Sequence, residues 1–331
     1  MGVWDFWTTK SRNYVYGMLD ESQCSGNIRC LPLEADEHYV VVLLRRMRIV
    51  NVRTGFKRFY GAVHADVGAQ HATGKVVSFT QVIAPPELRD VSPENLDRTI
   101  ITNQALFGPT PYRGGPLKLN AALLSVQSAD LLGPYLEVLT DLASLAGVAY
   151  VAAAKPFLDP LRRGVDLLTG TTGPQSLEIY LVTNVTSPMT GAYVVVRAPD
   201  TEVRLRDLRL AADFSLSHAG GMDLSDYPHM VFTLEASTSR PDWRGIPELG
   251  PAYDEFIEAL KTDEPPAIEE ALTVLRRTIL LSDDLLSQHA KTLVAQIEAK
   301  RDMLQEGVLT AKGRDVRLPT LDEFDPFSSA A

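Results

Sequence analysis

Between Tyr39 and Ser237 the chain repeatedly sets short runs of β-branched and aromatic residues between glycine- and proline-rich breaks. YVVVLLRRMRIVNV (39–52), KVVSFTQVIA (75–84), RTIITNQALF (98–107), LKLNAALLSV (117–126), SLEIYLVT (176–183), GAYVVVRA (191–198) and YPHMVFTLEAS (227–237) all have this character. Strands at such spacing, with few helices between them, favour an antiparallel arrangement over a parallel α/β sheet. The expected class is mainly β with α additions. The finer expectation is an antiparallel β-sandwich over 39–237, C2-like or immunoglobulin-like.

Local turn chemistry pairs some of these strands. Arg53-Thr54-Gly55 separates Tyr39–Val52 from the run Phe56–Val67, which predicts a hairpin with Gly55 in its turn. NVTSPMTG (184–191) predicts a second hairpin between SLEIYLVT and GAYVVVRA. EVRLRDLRLAADFSL (202–216) continues the strand series.

The strand rhythm breaks at about 128–169. There Leu132, Tyr135, Leu136, Val138, Leu139, Leu142 and Leu145 follow i, i+3, i+4 spacing, predicting a helical insertion. Its longest charge-free run, Leu142–Ala154, is thirteen residues, short of the roughly 20 that a spanning helix requires.

After Ser237 the pattern is helical. A linker with a short helix is expected over 238–263, a helical region over 264–307 and a tail over 308–331. Ser282 is read as the cap of the last helix, with Asp283 and Asp284 in its first turn. Leu286, Ala290, Leu293, Ile297 and Leu304 form an apolar stripe along that helix. Residues 1–38 form an aromatic N-terminal segment in which Trp4, Phe6, Trp7, Tyr14 and Tyr16 stand out.

Composition narrows function by exclusion. A net charge of −10 and a pI near 5.1 disfavour binding to a phosphate backbone. The two cysteines, Cys24 and Cys30, lack a zinc spacing and point to a reducing compartment. With no leader pattern at the N-terminus, a cytoplasmic location is expected.

Chemistry-bearing residues are few. His64 and Asp66 share one face of a predicted strand and, with Cys24, Cys30 or Ser78, contain the elements of a nucleophile–base set. No nucleophile elbow accompanies them, and a polar solvent face explains the pair equally well. His218, Asp223, Asp226 and His229 have metal-ligand chemistry but match no EF-hand or HExxH pattern, and their composition is also that of an inter-strand loop. Neither a Walker loop nor a dinucleotide fingerprint is present. No catalytic residue, cofactor or metal is assigned.

Three functional expectations follow. The first is a non-enzymatic binding or scaffold module, an accessory subunit acting through protein–protein contacts in a larger assembly. Its partner-binding candidates are Trp4, Phe6 and Trp7 and the stripe residues Leu286, Leu293 and Ile297. The second is a conditional membrane-acting effector of cell death or defence, using the apolar 131–168 region. There Leu142, Leu145, Val148 and Val151 would enter the lipid, with Lys155, Arg162 and Arg163 at anionic headgroups. The third is a hydrolase whose site is assembled from distant residues.

Overall fold

A computed structural model of the chain describes residues 14–50, 53–54, 57–70, 76–83, 99–127, 177–262 and 264–311. Twelve strands and three α-helices are described. They are β1 (Val15–Met18), β2 (Tyr39–Arg48), β3 (Arg53–Thr54), β4 (Lys57–Gln70), β5 (Val76–Ile83), β6 (Thr99–Pro111), β7 (Leu117–Gln127), β8 (Leu177–Val185), β9 (Gly191–Val196), β10 (Leu208–Leu210), β11 (Leu216–His218) and β12 (His229–Ser237), then α1 (Leu249–Thr262), α2 (Pro265–Leu281) and α3 (Ser287–Ala311). The protein is thus β-rich with helical additions. Its predicted helical insertion at 128–169 lies outside the described residues.

The strands form two larger antiparallel sheets and one small one. The first runs β1-β9-β12-β2-β6. The second runs β3-β4-β7-β8, with β5 also paired to β4, and β10–β11 make a two-stranded ribbon. Alternation decides which side chains are buried. Val40, Val42 and Leu44 of β2 belong to the same apolar cluster as Val63, Ala65 and Val67 of β4 and Leu119, Ala121 and Leu123 of β7. That cluster draws on both larger sheets. The opposite face of β9, through Ala192, Val194 and Val196, joins Leu208 and Leu210 of the ribbon in a further cluster. All six residues of β9 are consequently buried, which is why GAYVVV reads as a continuous apolar run.

Both predicted hairpins are corrected by the ladders. β2 pairs with β12 and β6 in the first sheet, whereas β4 lies in the second. Gly55 lies outside the described residues; on either side of it Arg53 pairs with Arg58 and Thr54 with Lys57, so the short β3, not β2, pairs with the start of β4. Similarly, β8 pairs with β7, while β9 pairs with β1 and β12. The intervening segment cannot close a hairpin because its backbone is engaged elsewhere: Leu33 N–H donates to Pro188 O at 3.1 Å and Thr190 N–H to Leu31 O at 2.8 Å.

The helices share a core of their own, built from Trp243, Leu249, Phe256, Ile268, Leu275, Leu286, Leu293 and Ile297 among others. Tyr39 is the β-strand residue in that cluster. Its hydroxyl accepts from Leu286 N–H at 2.9 Å and lies 2.8 Å from His289 Nδ1. Burial, followed by the charge of Arg240, holds the pKa of His289 below the usual histidine range. Arg113 donates to the carbonyls of Asp283 and Leu285, both at 3.1 Å.

The expected cap is also displaced. Ser282 ends α2, its N–H reaching Ile279 O, and α3 begins only at Ser287. Asp284 is drawn into the intervening turn by the fully buried Arg240, whose Nη1 is 3.6 Å from its carboxylate. A buried guanidinium requires such a counter-charge, and this outweighs a helix-dipole contact worth well under about 2 kcal/mol.

Candidate functional site

A concave surface lies where the first sheet splits. β12 is flanked by β9 and β2, but the two ladders have different lengths. Pairing with β9 stops at Leu234↔Gly191, whereas pairing with β2 continues through Glu235↔Val41 and Ala236↔Val40 to Ser237↔Tyr39. Among the described residues, Glu235, Ala236 and Ser237 therefore have a paired neighbour on one side only.

The divergence begins at Gly191, whose φ of +137° is a conformation that side chains rarely adopt. A β-carbon at this position would lie 3.2 Å from Cys30 Sγ. Upstream of it the backbone pairs with 31–33, and the Thr190 hydroxyl accepts from Leu31 N–H at 2.9 Å while donating to Arg29 O at 2.7 Å. Between this wall and β12 lies a groove of about 720 Å³, lined by residues 233–239 on one side and by 27–29, 31 and 32 on the other. Leu31, on the wall, is 54% exposed.

One end of the groove is rigidly built. The β2–β12 ladder skips Arg45 at a bulge between Val231↔Arg46 and Phe232↔Leu44, and bulges commonly re-aim a side chain. Arg45 Nε donates to Thr233 Oγ1 at 2.9 Å and Nη1 to Asn103 Oδ1 at 3.1 Å, while Nη2 is ion-paired with Glu235. Its guanidinium carbon sits 4.8 Å from the centre of the Phe214 ring, within cation–π range. Thr233 Oγ1 donates in turn to Glu235 at 3.1 Å.

Phe214, which lines the groove, has φ +62°. The β10–β11 turn holds it there: Phe214 N–H donates to Ala211 O, and Ala211 N–H to Ser215 O, both at 2.9 Å. Ser215 donates through Oγ and N–H to Asp213 Oδ1 at 2.6 and 3.0 Å, which keeps that carboxyl below its usual range. Arg46 anchors Asp213 to β2 at 3.5 Å.

The sequence-derived candidates are dispersed. Asp66 on β4 is half-buried and accepts from Asn120 Nδ2 at 3.4 Å; His64 and Ser78 are paired strand positions opposite Ala122 and Gly68. Cys24 and Cys30 are free thiols in the other sheet's surroundings. Burial, then the nearby thiol and carboxylates, pushes Cys24 up to about 11, and burial followed by Glu21 and Asp20 raises Cys30. Thiols so protonated are poor nucleophiles.

The His218–His229 segment separates into local turns. Asp223 accepts from Ser225 N–H and Oγ at 2.8 and 2.5 Å, and His218 Nδ1 accepts from Gly220 N–H at 3.1 Å. His229 is buried, with Nδ1 3.0 Å from Tyr227 O. Among the described residues no group of three or more His, Cys, Asp or Glu is arranged to hold a metal ion.

Leu286, Leu293 and Ile297 are 2%, 1% and 2% exposed, so they face their own helical core and offer no surface to a partner in this arrangement. Trp4, Phe6 and Trp7 lie outside the described residues, as do Leu142, Leu145, Val148, Val151, Lys155, Arg162 and Arg163. No helix among the described residues is long and apolar enough to cross a membrane.

Sequence reasoning missed Arg45, Phe214, Thr233 and Glu235. The available signal was RRMR (45–48), three cations within an otherwise apolar strand. Comparison with known protein families, with curated proteins and with solved structures found no match to this chain.

Proposed function

We propose that the protein is a non-catalytic binding module, built on a β-sandwich, that takes an extended segment of another protein as an added strand beside β12. The observation that carries this reading is the one-sided pairing of Glu235–Ser237 on the floor of an open groove. A strand edge offers main-chain donors and acceptors that an extended peptide satisfies, and side-chain pockets then give selectivity. Residues 235–237, the exposed end of β12, span roughly 10 Å at about 3.3 Å per residue, room for about three residues of a partner. The groove volume lies within the range of about 300–1,000 Å³ usual for ligand sites. A scaffold or accessory role in a larger assembly accords with recognition of this kind.

The test uses a displayed library of random seven-residue peptides selected on the full chain. Selected peptides are then resynthesised with single backbone N-methyl groups. Strand addition requires that methylation at alternate positions weaken binding at least tenfold, because only alternate N–H groups face β12. Equal tolerance of methylation at every position overturns the proposal, as does a library that yields no peptide sensitive to Glu235→Lys.

A further inference from the structure

The groove carries two features that discriminate among extended segments. We infer that it selects a peptide with an aromatic side chain seated on Phe214 and an acidic side chain paired with Arg29; the inference rests on the peptide-binding reading above.

Phe214 is the first feature. Residues with a β-carbon rarely adopt its φ of +62°, and a bulky ring there is a clear outlier. Glycine meets this backbone requirement without strain; the phenylalanine ring packs in part against the apolar cluster of β9 and the ribbon, and its remaining surface borders the groove. The Asp213–Ser215 bonds and the Arg46–Asp213 contact nonetheless fix the turn with the ring bordering the groove. Arg45 lies against the ring and is held by Thr233, Asn103 and Glu235, which stiffens the platform from behind. With Arg45 over the ring and part of it against the core, the half-exposed edge of Phe214 at the groove is suited to an edge-to-face contact with another aromatic ring.

Charge is the second. Arg29 and Glu235 are the Arg, Lys, Asp and Glu residues that line the groove, and Glu235 is neutralised by Arg45. Arg29 is exposed on the wall and has no ion-pair partner among the described residues. Arg29 thus leaves one exposed positive charge on the groove wall, and a carboxylate on the added strand complements it.

The same library selection reads this out in the wild type, Phe214→Gly and Arg29→Glu. Wild-type selections are expected to be enriched in Phe, Tyr or Trp together with Asp or Glu. F214G relieves the backbone constraint; it is expected to lose the aromatic preference and to bind a wild-type-selected peptide at least tenfold more weakly. R29E is expected to replace the acidic preference with a basic one. Since Arg29 is exposed, this arm decides the charge component even if F214G fails to fold, and Phe214→Leu then reads the aromatic component. N-methyl-sensitive peptides lacking both enrichments, or enrichments unchanged in the variants, overturn the inference and leave the peptide-binding reading standing. Recovery of no groove-dependent peptide overturns both.

Discussion

Replacing His229 by Asn should flatten the acid limb of the protein's stability profile. His229 opens β12 opposite Arg48 and Val196, is 3% exposed, and has Nδ1 3.0 Å from Tyr227 O. Burial, with smaller contributions from Arg48 and Arg46, lowers its pKa from 6.5 to about 4. The folded protein thus resists protonation that the unfolded chain accepts. Stability is complete above the unfolded value near 6.5, declines as the pH falls below it, and stops declining for this group near 4. At 1.36 kcal/mol per pH unit, the shift corresponds to roughly 3 kcal/mol, most of it lost by pH 4.5. Asn retains an N–H near the position of the imidazole donor but does not titrate. Urea unfolding of both proteins at intervals from pH 7.5 to 4.5 measures the difference, and the remaining carboxylates contribute alike to both. The wild type should lose roughly 1 kcal/mol per pH unit more than His229→Asn between pH 6 and 4.5. Parallel profiles, or an imidazole resonance of His229 titrating above pH 6, would refute the reasoning.

Other perturbations probe the framework around the groove. Arg240→Met removes the fully buried guanidinium beside Asp284 and should cost about 3–5 kcal/mol in urea unfolding, with Arg240→Met/Asp284→Leu recovering much of the loss; equal losses in the two proteins would discount the buried charge as the cause. Cys24, raised from 9.0 to about 11, should react with iodoacetamide at pH 8 about tenfold more slowly in the native protein than in urea, the loss of thiolate being partly offset by its higher nucleophilicity. Gly191→Ala should destabilise the protein by about 1–3 kcal/mol, because the residue occupies φ +137° and its new methyl group meets Cys30 Sγ; a smaller effect in thermal unfolding would mean that the split in the sheet relaxes easily.

The sequence made the strands of the sheets legible more readily than their partners. Alternation in Val40–Leu44 and Leu117–Leu123 identifies a buried face, but many different sheets bury the same face. Neighbouring runs such as SLEIYLVT and GAYVVVRA consequently look like a hairpin, although one pairs with β7 and the other with β12. The pairing of β12 with β2 joins Ser237 to Tyr39, a contact that no local pattern specifies. Short elements were harder still: β1 hides in the aromatic N-terminal segment, and EVRLRDLRLAADFSL breaks into a 3₁₀ turn and the β10–β11 ribbon. In the helical region, the apolar stripe of α3 was visible, whereas its start was set by Arg240, more than forty positions upstream. The groove was illegible for related reasons. It arises from unequal ladder lengths, a bulge at Arg45 and the positive φ values of Gly191 and Phe214, all consequences of tertiary pairing.

Amide hydrogen exchange across β12, with and without a library-selected peptide, tests strand addition most directly. The account predicts new protection at alternate amides within 235–237, on the side that β9 leaves open, while amides already bonded to β2 change little. A peptide that binds tightly yet leaves exchange at 235–237 unaltered would contradict it.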